Sequence, residues 1–427
     1  MLLAVTAAVF VSLVALSMPI VFALGIAGAT GLLLGGFPLQ MLGSSLVSAS
    51  QNWVLLAIPA FIFAGTLMER CGMSHALVNL ARALVGWLRG GLGMSVIVVS
   101  YFFSDICGSK MAEVSALGST LMPPLKKAGY RPEDSASLIS AGTAMGMLVP
   151  PAIFMIVIGE VTNVSVVALF LAGFIPAATI GLCLCCLVFV QAHVLGWPKD
   201  TRPSWRFLIA SAREAAVPMV VPVVILGGFY FGVFTATEAG AVVAAYAFVA
   251  ARFYYKNVSY REMLTIAYES ALLTAAVVFL LAVASIFQYL MGVTGVPGVL
   301  GELLKPLEST HWLFLVGVAL LTMVFGMVLE GLPAAVVLIP VVFPIAVSIG
   351  INPIHFDIVQ TAAVGIGLFL PPMGVGLMMA LRFADVSVLR HARIYWPYVL
   401  TLLIGLLLII CLPELCLIVP RSAGFVR

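Results

Sequence analysis

The chain has 427 residues, of which 63% are hydrophobic and 9% are charged, and its mean hydropathy is +1.21. Soluble domains carry about 25% charged residues, so this composition excludes a soluble protein and predicts a membrane protein. Apolar runs recur from end to end without the alternating segments of a β-barrel, which predicts a polytopic all-α protein in a lipid bilayer. The formal net charge is only +3, and no basic tract predicts a nucleic-acid partner.

The first 92 residues predict a set of scaffold helices. Residues 1–36 form an apolar stretch that is too long and uninterrupted for a cleaved signal peptide, and we interpret it as two packed spans. Residues 68–90 have the pattern of an amphipathic helix lying at the membrane interface.

An internal repeat is visible in the prolines. "GMLVPP" ends at Pro151 and "GLFLPP" ends at Pro372, an offset of 221 residues. With that offset fixed, further prolines and glycines fall in register without a gap: Pro123 with Pro344, Gly129 with Gly350, Pro132 with Pro353, and Gly146 with Gly367. Several matches over such a short stretch indicate a duplicated unit.

Each repeat contains an apolar stretch interrupted by polar residues, followed by a helix broken at Pro-Pro. The stretches are 93–125 and 312–349, and their arms are shorter than the roughly 20 residues that a span needs. We interpret each as a re-entrant helical hairpin, although two ordinary short spans remain the alternative. The predicted units are a first transport repeat at 93–160 (broken helix 134–159), scaffold and connecting segments at 161–311, a second transport repeat at 312–381 (broken helix 354–381), and a C-terminal loop with the last span at 382–427.

The topology predicts that the two repeats are inverted. Five crossings are predicted between the hairpins, an odd number, at about 134–159, 165–195, 216–234, 236–251 and 266–291. With this count, all of the most basic loops fall on one side, as the positive-inside rule requires: 126–131, 199–213, 252–261 and 382–393. The first hairpin then opens from the cytoplasm and the second from the outside, and inverted repeats with discontinuous helices are typical of secondary transporters.

A Pro-Pro break in a membrane helix needs a reason, because freed backbone groups are costly in lipid. Freed carbonyls can bind a hard cation such as sodium, and the new half-helix N-terminus suits a carboxylate. A simple structural kink is the alternative explanation, which two symmetric breaks beside hairpins make less favourable.

Charges at membrane depth should face protein or a cavity. Asp105, Lys110 and Glu113 surround the first hairpin tip, and Glu330 lies at the second. Lys110 could contact an anionic substrate or pair with Glu113 three residues later, and both could hold in alternate states. Glu238, in "TATE", has the spacing of a capping box with Thr235 and is expected to start a helix.

The remaining reactive residues do not predict an enzyme. Five of the seven cysteines lie inside apolar runs, the five histidines are scattered, and we find no HExxH or GxSxG motif. A channel or an intramembrane enzyme is therefore disfavoured, and no bound cofactor is expected.

Over essentially its whole length the sequence resembles the large membrane subunit (DctM-type) of tripartite ATP-independent periplasmic (TRAP) transporters. The resemblance is carried by "PAFIFAGTLMERCG", "FFSDICGSK", "GMLVPPAIFMIVIGEVTNVSVVALFLAGFIPA", "FTATEAGAVVAAYAF", "INPIHFDIV" and "GIGLFLPPMGVGL". It implies a permease subunit in the bacterial inner membrane that imports an organic acid, such as a carboxylate, with Na⁺ as the coupling ion. It also implies an elevator-like mechanism, a small four-helix membrane subunit and a soluble periplasmic binding protein as partners.

The resemblance also implies site residues, carried over by position. A first sodium site would involve Ser104, Gly108, Gly142, Thr143, Gly146 and Pro150, and a second would involve Gly326, Gly367, Pro371 and Gly374. The substrate would lie between the tips, with Gly108, Ser109, Lys110, Pro151, Glu330 and Pro372 as candidate contacts.

Two departures from the family pattern matter. Many members have "SGSS" at the first tip where this chain has "CGSK" at 107–110, so a sialic-acid specificity is not transferred. "TAAVGIG" before the second break lacks the Asn that the family often has, which leaves the ligands of the second ion site open. The alternative function is a self-sufficient ion-coupled carboxylate carrier of related fold that needs no binding protein.

Overall fold

The structure is a computed structural model, and it describes residues 2–103, 110–199, 203–295, 298, 302 and 310–426. Over these ranges the protein is helical, and its β-structure is one isolated bridge between Arg89 and Lys199, which confirms the all-α prediction. The α-helices of the described ranges are α1 Leu2–Ala15, α2 Ile20–Leu34, α3 Gln40–Ser50, α4 Ala57–Arg70, α5 Met73–Val85, α6 Gly91–Phe103, α7 Lys110–Lys127, α8 Pro132–Gly146, α9 Ile153–Thr162, α10 Val166–Val194, α11 Trp205–Tyr230, α12 Ala236–Val249, α13 Tyr260–Val293, α14 His311–Leu329, α15 Gly331–Ser348, α16 Pro353–Gly367, α17 Val375–Ala384, α18 Val388–Cys411 and α19 Glu414–Ser422.

Eight helical segments of the described chain are long and apolar enough to cross a membrane. Four of them lie between the two repeats: α10, α11, α13, and α12 with its π-helical extension to Tyr255. Together with the broken α8–α9 helix they correspond in position to the five crossings that the sequence predicts. Capping boxes start two of these helices, Thr235 with Glu238 at α12 and Ser259 with Glu262 at α13, so the capping role predicted for Glu238 is confirmed.

The helices of the two repeats match at the offset of 221 residues. α8 and α16 have equivalent bounds, Pro132–Gly146 and Pro353–Gly367. The packing is matched as well: α6 lies on α8 as α14 lies on α16, α7 contacts α17, and α15 contacts α9. Each hairpin therefore packs against the broken helix of its own repeat and against the terminal half-helix of the other repeat.

The two repeats cross at equivalent residues. A Cβ built at Gly365 on α16 would lie 2.5 Å from the carbonyl oxygen of Ala144 on α8, and these two positions correspond at the 221-residue offset. Since a residue that contacts its own repeat mate must lie beside the axis relating the repeats, the α8–α16 crossing marks that axis. Glycine allows this approach because any side chain would overlap the neighbouring backbone.

The second hairpin turns at the single residue Glu330, which has a φ of 71°. α14 and α16 run in the same direction, since His311 and Asn352 share one cavity at their starts and Gly326 lies against Val364 near their ends. The hairpin tip therefore lies at the level of the second break. With 19 and 18 residues, α14 and α15 are long enough to cross a membrane, but a tip that stops at the middle of a broken helix favours the re-entrant interpretation over two ordinary spans.

Three of the four predicted basic loops lie at the same end of the molecule. The Tyr130 ring packs 4.5 Å from the Trp197 ring, joining the α7–α8 loop to the end of α10. Arg390, near the start of α18, forms an ion pair with Glu133 at the start of α8. This arrangement agrees with the predicted cytoplasmic side and with the orientation of the first hairpin.

The N-terminal part differs from the prediction in helix length. α1 and α2 pack together, but they have 14 and 15 residues, fewer than the roughly 20 that a full crossing needs. The predicted 68–90 helix is interrupted because Gly72 adopts a φ of 80°, so α4 ends at Arg70 and α5 occupies Met73–Val85. The amphipathic pattern arises because one face of α5 packs on α6 and α11.

Candidate functional site

A cavity of about 270 Å³ lies where the two repeats meet. One side is formed by Lys110 and Met111, by Glu330 to Pro333, and by residues flanking both breaks. The other side is apolar and comes from α2, α4 and α13, through residues such as Val21, Ile62 and Leu280. The cavity therefore separates the two repeats from helices that the sequence assigns to the scaffold.

Three helix N-termini of the described chain line this cavity. They contribute Ile153 and Phe154 from α9, Gly331 to Pro333 from α15, and Val375 and Gly376 from α17. The residues preceding α9, α15 and α17 make no side-chain capping bond. Helix N-termini carry a partial positive charge of about half an elementary charge each, so three of them at one cavity favour an anionic ligand.

Among the described residues, the charged side chains at the cavity are Lys110 and Glu330. The Lys110 ammonium lies 2.9 Å from the Glu113 carboxylate, which is fully buried, and the Lys110 side chain is 10% exposed. The i,i+3 pair predicted from the sequence is thus confirmed, and Lys110 lines the cavity at the same time. Glu330 is exposed at the cavity mouth, so its carboxylate would repel a ligand with negative charge on that side.

The first break is fully buried from Gly142 through Pro151. Three buried hydroxyl groups near this break make no hydrogen bond in the described part of the chain. They belong to Ser100 on α6 and to Ser140 and Thr143 on α8. A Cβ built at Gly142 would lie 2.6 Å from the Ser100 hydroxyl oxygen. The α6–α8 contact thus holds buried, unsatisfied oxygen ligands beside the end of α8 at Gly146.

The prolines of the first break lie away from the central cavity. Pro150 and Pro151 line a separate apolar cavity of about 100 Å³ together with Tyr101, Phe102, Phe174 and residues of α11. The peptide bond between the two prolines is cis, as it is between Pro371 and Pro372. The structure therefore does not bring Pro151 together with the other predicted substrate contacts.

The second break is more open than the first. Pro372 and Met373 are exposed, Pro371 is half-buried, and Gly374 is buried immediately before α17. Here Gly367 faces α14, since a Cβ at this position would lie 2.5 Å from the Met323 carbonyl oxygen. A Cβ built at Gly326 would lie 3.4 Å from the Val364 carbonyl oxygen. Gly326 and Gly367, two of the predicted second-site residues, therefore meet at the α14–α16 contact.

The first hairpin tip falls outside the described residues. This applies to the predicted contacts Ser104, Gly108 and Ser109, and to the neighbouring Asp105 and Cys107. Their proposed roles stay predictions.

Sequence reasoning missed several buried polar groups. Ser100 and Ser140 were not singled out, although Ser140 has an equivalent in Thr361 at the 221-residue offset. Asp357 and Gln360 on α16 were also missed, and both are fully buried. An acidic residue within an apolar segment was a signal that could have identified Asp357.

The chain matches a known transporter family over nearly its whole length. Residues 7–415 match the family model of the tripartite ATP-independent periplasmic transporter, DctM component. The chain belongs to this family. It is accordingly a transporter permease subunit, and family membership together with the candidate spans places it in the bacterial inner membrane.

Relatives with different ligands in their names are about equally similar to this chain. The C4-dicarboxylate TRAP transporter large permease protein DctM of Pseudomonas aeruginosa is 33% identical over 94% of both chains. The sialic acid TRAP transporter large permease protein SiaM of Vibrio cholerae is 31% identical over 90% of this chain and 88% of its own length. Overall identity therefore does not distinguish among substrates.

The fold is shared with a more distant transporter. The YdaH transporter of Alcanivorax borkumensis, described as having an unusual topology, superposes with a TM-score of 0.57 at 17% identity, covering 88% of this chain and 87% of that one. At this identity the likeness concerns the fold alone.

Proposed function

We propose that this permease subunit imports an organic acid with Na⁺ as the coupling ion, and that the acid binds in the central cavity. The observation that carries the proposal is the convergence of three described helix N-termini on one cavity between the repeats. This arrangement is the one that transporters with broken helices use for anionic substrates.

The charges around the cavity favour a single carboxylate over two. Lys110 is the cation that lines the cavity in the described part, and its charge is matched by Glu113. Glu330 adds a negative charge at the mouth. The remaining wall is largely apolar, so it offers no partner to a second carboxylate. A monocarboxylate with an apolar body would therefore pay a smaller uncompensated desolvation cost on binding than a dicarboxylate would.

Sodium binding is better supported at the first break than at the second. Ser100, Ser140 and Thr143 supply three buried hydroxyl oxygens without other partners in the described part, and oxygen atoms are the ligands that hard cations prefer. At the 221-residue offset, Ser100 and Thr143 correspond to Leu321 and Val364, which have no ligand atoms in their side chains. The second sodium site, with Gly326, Gly367, Pro371 and Gly374, would depend on backbone carbonyls.

The proposal includes the partners that the family description implies. A TRAP system combines a large permease with a small membrane subunit and a periplasmic binding protein that delivers the substrate. In an elevator-like cycle, the two repeats would move together against α2, α4 and α13 and carry the cavity across the membrane. The apolar wall that these helices present fits a surface along which the repeats could slide.

Uptake into proteoliposomes tests the proposal. The chain is reconstituted with the small subunit, and accumulation of labelled mono- and dicarboxylates is measured with an imposed sodium gradient, with and without the binding protein. We expect accumulation of a carboxylate that requires both sodium and the binding protein. Sodium-driven uptake without the binding protein would favour the self-sufficient carrier, and flux that never exceeds equilibration would contradict a coupled transporter.

A further inference from the structure

A carboxyl group that the proposed transport cycle does not use lies inside the second repeat. Asp357 is on the second turn of α16 and is fully buried. Its Oδ2 atom lies 2.8 Å from the hydroxyl oxygen of Thr162, the last residue of α9. Its Oδ1 atom has no hydrogen-bond partner in the described part of the chain.

No cation among the described residues compensates a charge on Asp357. The other ionisable groups at this end of the helices around α16 are Glu160, His311, His355, Cys411, Glu414, Cys416 and Arg421. Glu160 accepts a hydrogen bond from Asn52, the His355 ring bonds to the Ile409 carbonyl, and Arg421 is paired with Glu414. On α8, Glu133 and Asp134 lie at the opposite end and pair with arginines, and α15 carries no ionisable side chain.

With respect to the described residues, an ionised Asp357 would therefore be an isolated buried charge, with one hydroxyl to stabilise it. Such a charge is so unfavourable that buried carboxyls are usually neutralised, either by a proton or by a bound cation. The geometry of Thr162 favours a bound proton over a bound cation.

The Thr162 hydroxyl has two acceptor-type neighbours and one proton. Its oxygen lies 2.8 Å from the Ile158 carbonyl oxygen and also 2.8 Å from Asp357 Oδ2. A hydroxyl donates one hydrogen bond and can accept others. Both contacts are hydrogen bonds at the same time if Thr162 donates to Ile158 and the Asp357 carboxylic acid donates to Thr162.

The described polar side chain beside Asp357, Gln360, does not add a cation ligand. Gln360, one turn later on α16, uses its Oε1 to accept a 2.6 Å bond from Thr322, and its unpartnered atom is the Nε2 donor. An amide nitrogen cannot ligate a cation, whereas hard cations are held by several oxygen ligands.

We propose that Asp357 is a proton-binding site, held as a neutral carboxylic acid that donates a hydrogen bond to Thr162. This proton joins α9 of the first repeat to α16 of the second repeat, so the α9–α16 contact depends on it. Loss of the proton would leave a charge between packed helices and weaken that contact. The site is distinct from the central cavity and from the residues proposed to bind sodium.

Infrared difference spectroscopy of the full chain in detergent tests the proposal directly. We expect the wild-type spectrum at neutral pH to contain the carbonyl band of a protonated carboxylic acid that is absent from Asp357→Asn. The matched control is Asp134→Asn, which removes a buried carboxylate paired with Arg131 at 2.8 Å and should change the carboxylate bands instead. If Asp357→Asn also changes only carboxylate bands, Asp357 is ionised and the proposal is wrong.

A pH titration of stability provides a second readout. The substitution Asp357→Asn keeps the side chain neutral at nearly the same size, so the variant should fold and its melting temperature should not share the wild-type titration of this group. Stability that depends on a bound proton is present at low pH and is lost as pH rises through the titration of the group in the folded state. We therefore expect the wild-type melting temperature to fall relative to Asp357→Asn as pH rises, and parallel curves would overturn the proposal. If Asp357→Asn does not fold, the protonated band of the wild type and its loss on titration to high pH decide between the same two outcomes.

Discussion

Replacing Gly365 with alanine probes the crossing of the two repeats. A Cβ at this position would lie 2.5 Å from the Ala144 carbonyl oxygen, whereas ordinary contacts begin at 3.4 Å. The α8 and α16 backbones must therefore separate by about 0.9 Å, and overpacking of this kind costs about 1–3 kcal/mol. The neighbour is a backbone atom, so no side-chain rotation can relieve the overlap.

The matched control is Gly317→Ala on α14, where a Cβ would meet nothing within 4 Å. Both substitutions gain the same helix propensity, up to about 1 kcal/mol, so their difference isolates the clash. Equilibrium unfolding in a denaturing detergent should show Gly365→Ala to be about 1–3 kcal/mol less stable than Gly317→Ala. Equal free energies of unfolding would refute the close crossing of α8 and α16 at equivalent residues.

Three further substitutions test the site and its frame. Lys110→Met should abolish carboxylate uptake and lower the free energy of unfolding by about 3–5 kcal/mol, because it removes the ion-pair partner of the buried Glu113. Adding Glu113→Gln should restore the stability but not the uptake. Recovery of uptake in the double variant would make the role of Lys110 purely structural. Thr143→Val should reduce the sodium-dependent rise in melting temperature, whereas Thr179→Val on α10, whose hydroxyl already bonds to Ile175, should leave it unchanged; equal effects would argue against a ligand role for Thr143. Glu238→Ala should cost about 1 kcal/mol of stability through loss of the α12 capping box with normal uptake, and a transport defect at full stability would contradict a capping role.

The repeat was predictable from sequence because prolines and glycines mark backbone geometry directly. Pro132 and Pro353 each start a helix, and Gly146 and Gly367 each end one. These residue types act through the local backbone, so their spacing is preserved wherever the same break is built twice.

The cavity walls and the buried hydroxyls were not predictable in the same way. Val21 and Leu280 reach the cavity through tertiary packing of helices far apart in sequence. Ser100 is a serine in an apolar helix, and in sequence it looks like any serine whose hydroxyl bonds to its own helix backbone. Only the structure shows that its hydroxyl lies opposite Gly142 and makes no such bond in the described part of the chain. Pro151 shows the converse: its motif was evident, but its side chain faces a different cavity.

The length of the N-terminal helices also needed the structure. The apolar run at 1–36 gives no internal mark of where the chain turns, and Ser17 with a φ of 63° provides the turn. Composition identifies such a run as membrane-embedded, but it does not decide whether each half crosses.

Sodium-dependent stability tests the central claim most directly. The melting temperature of the purified chain is measured in sodium, potassium and choline chloride at equal ionic strength. Sodium at about ten times its dissociation constant should add about 1.4 kcal/mol to the free energy of unfolding, so a saturable rise that is specific to sodium is expected, and it should shrink in Thr143→Val. Identical melting temperatures in all three salts would contradict a preformed sodium site at the first break.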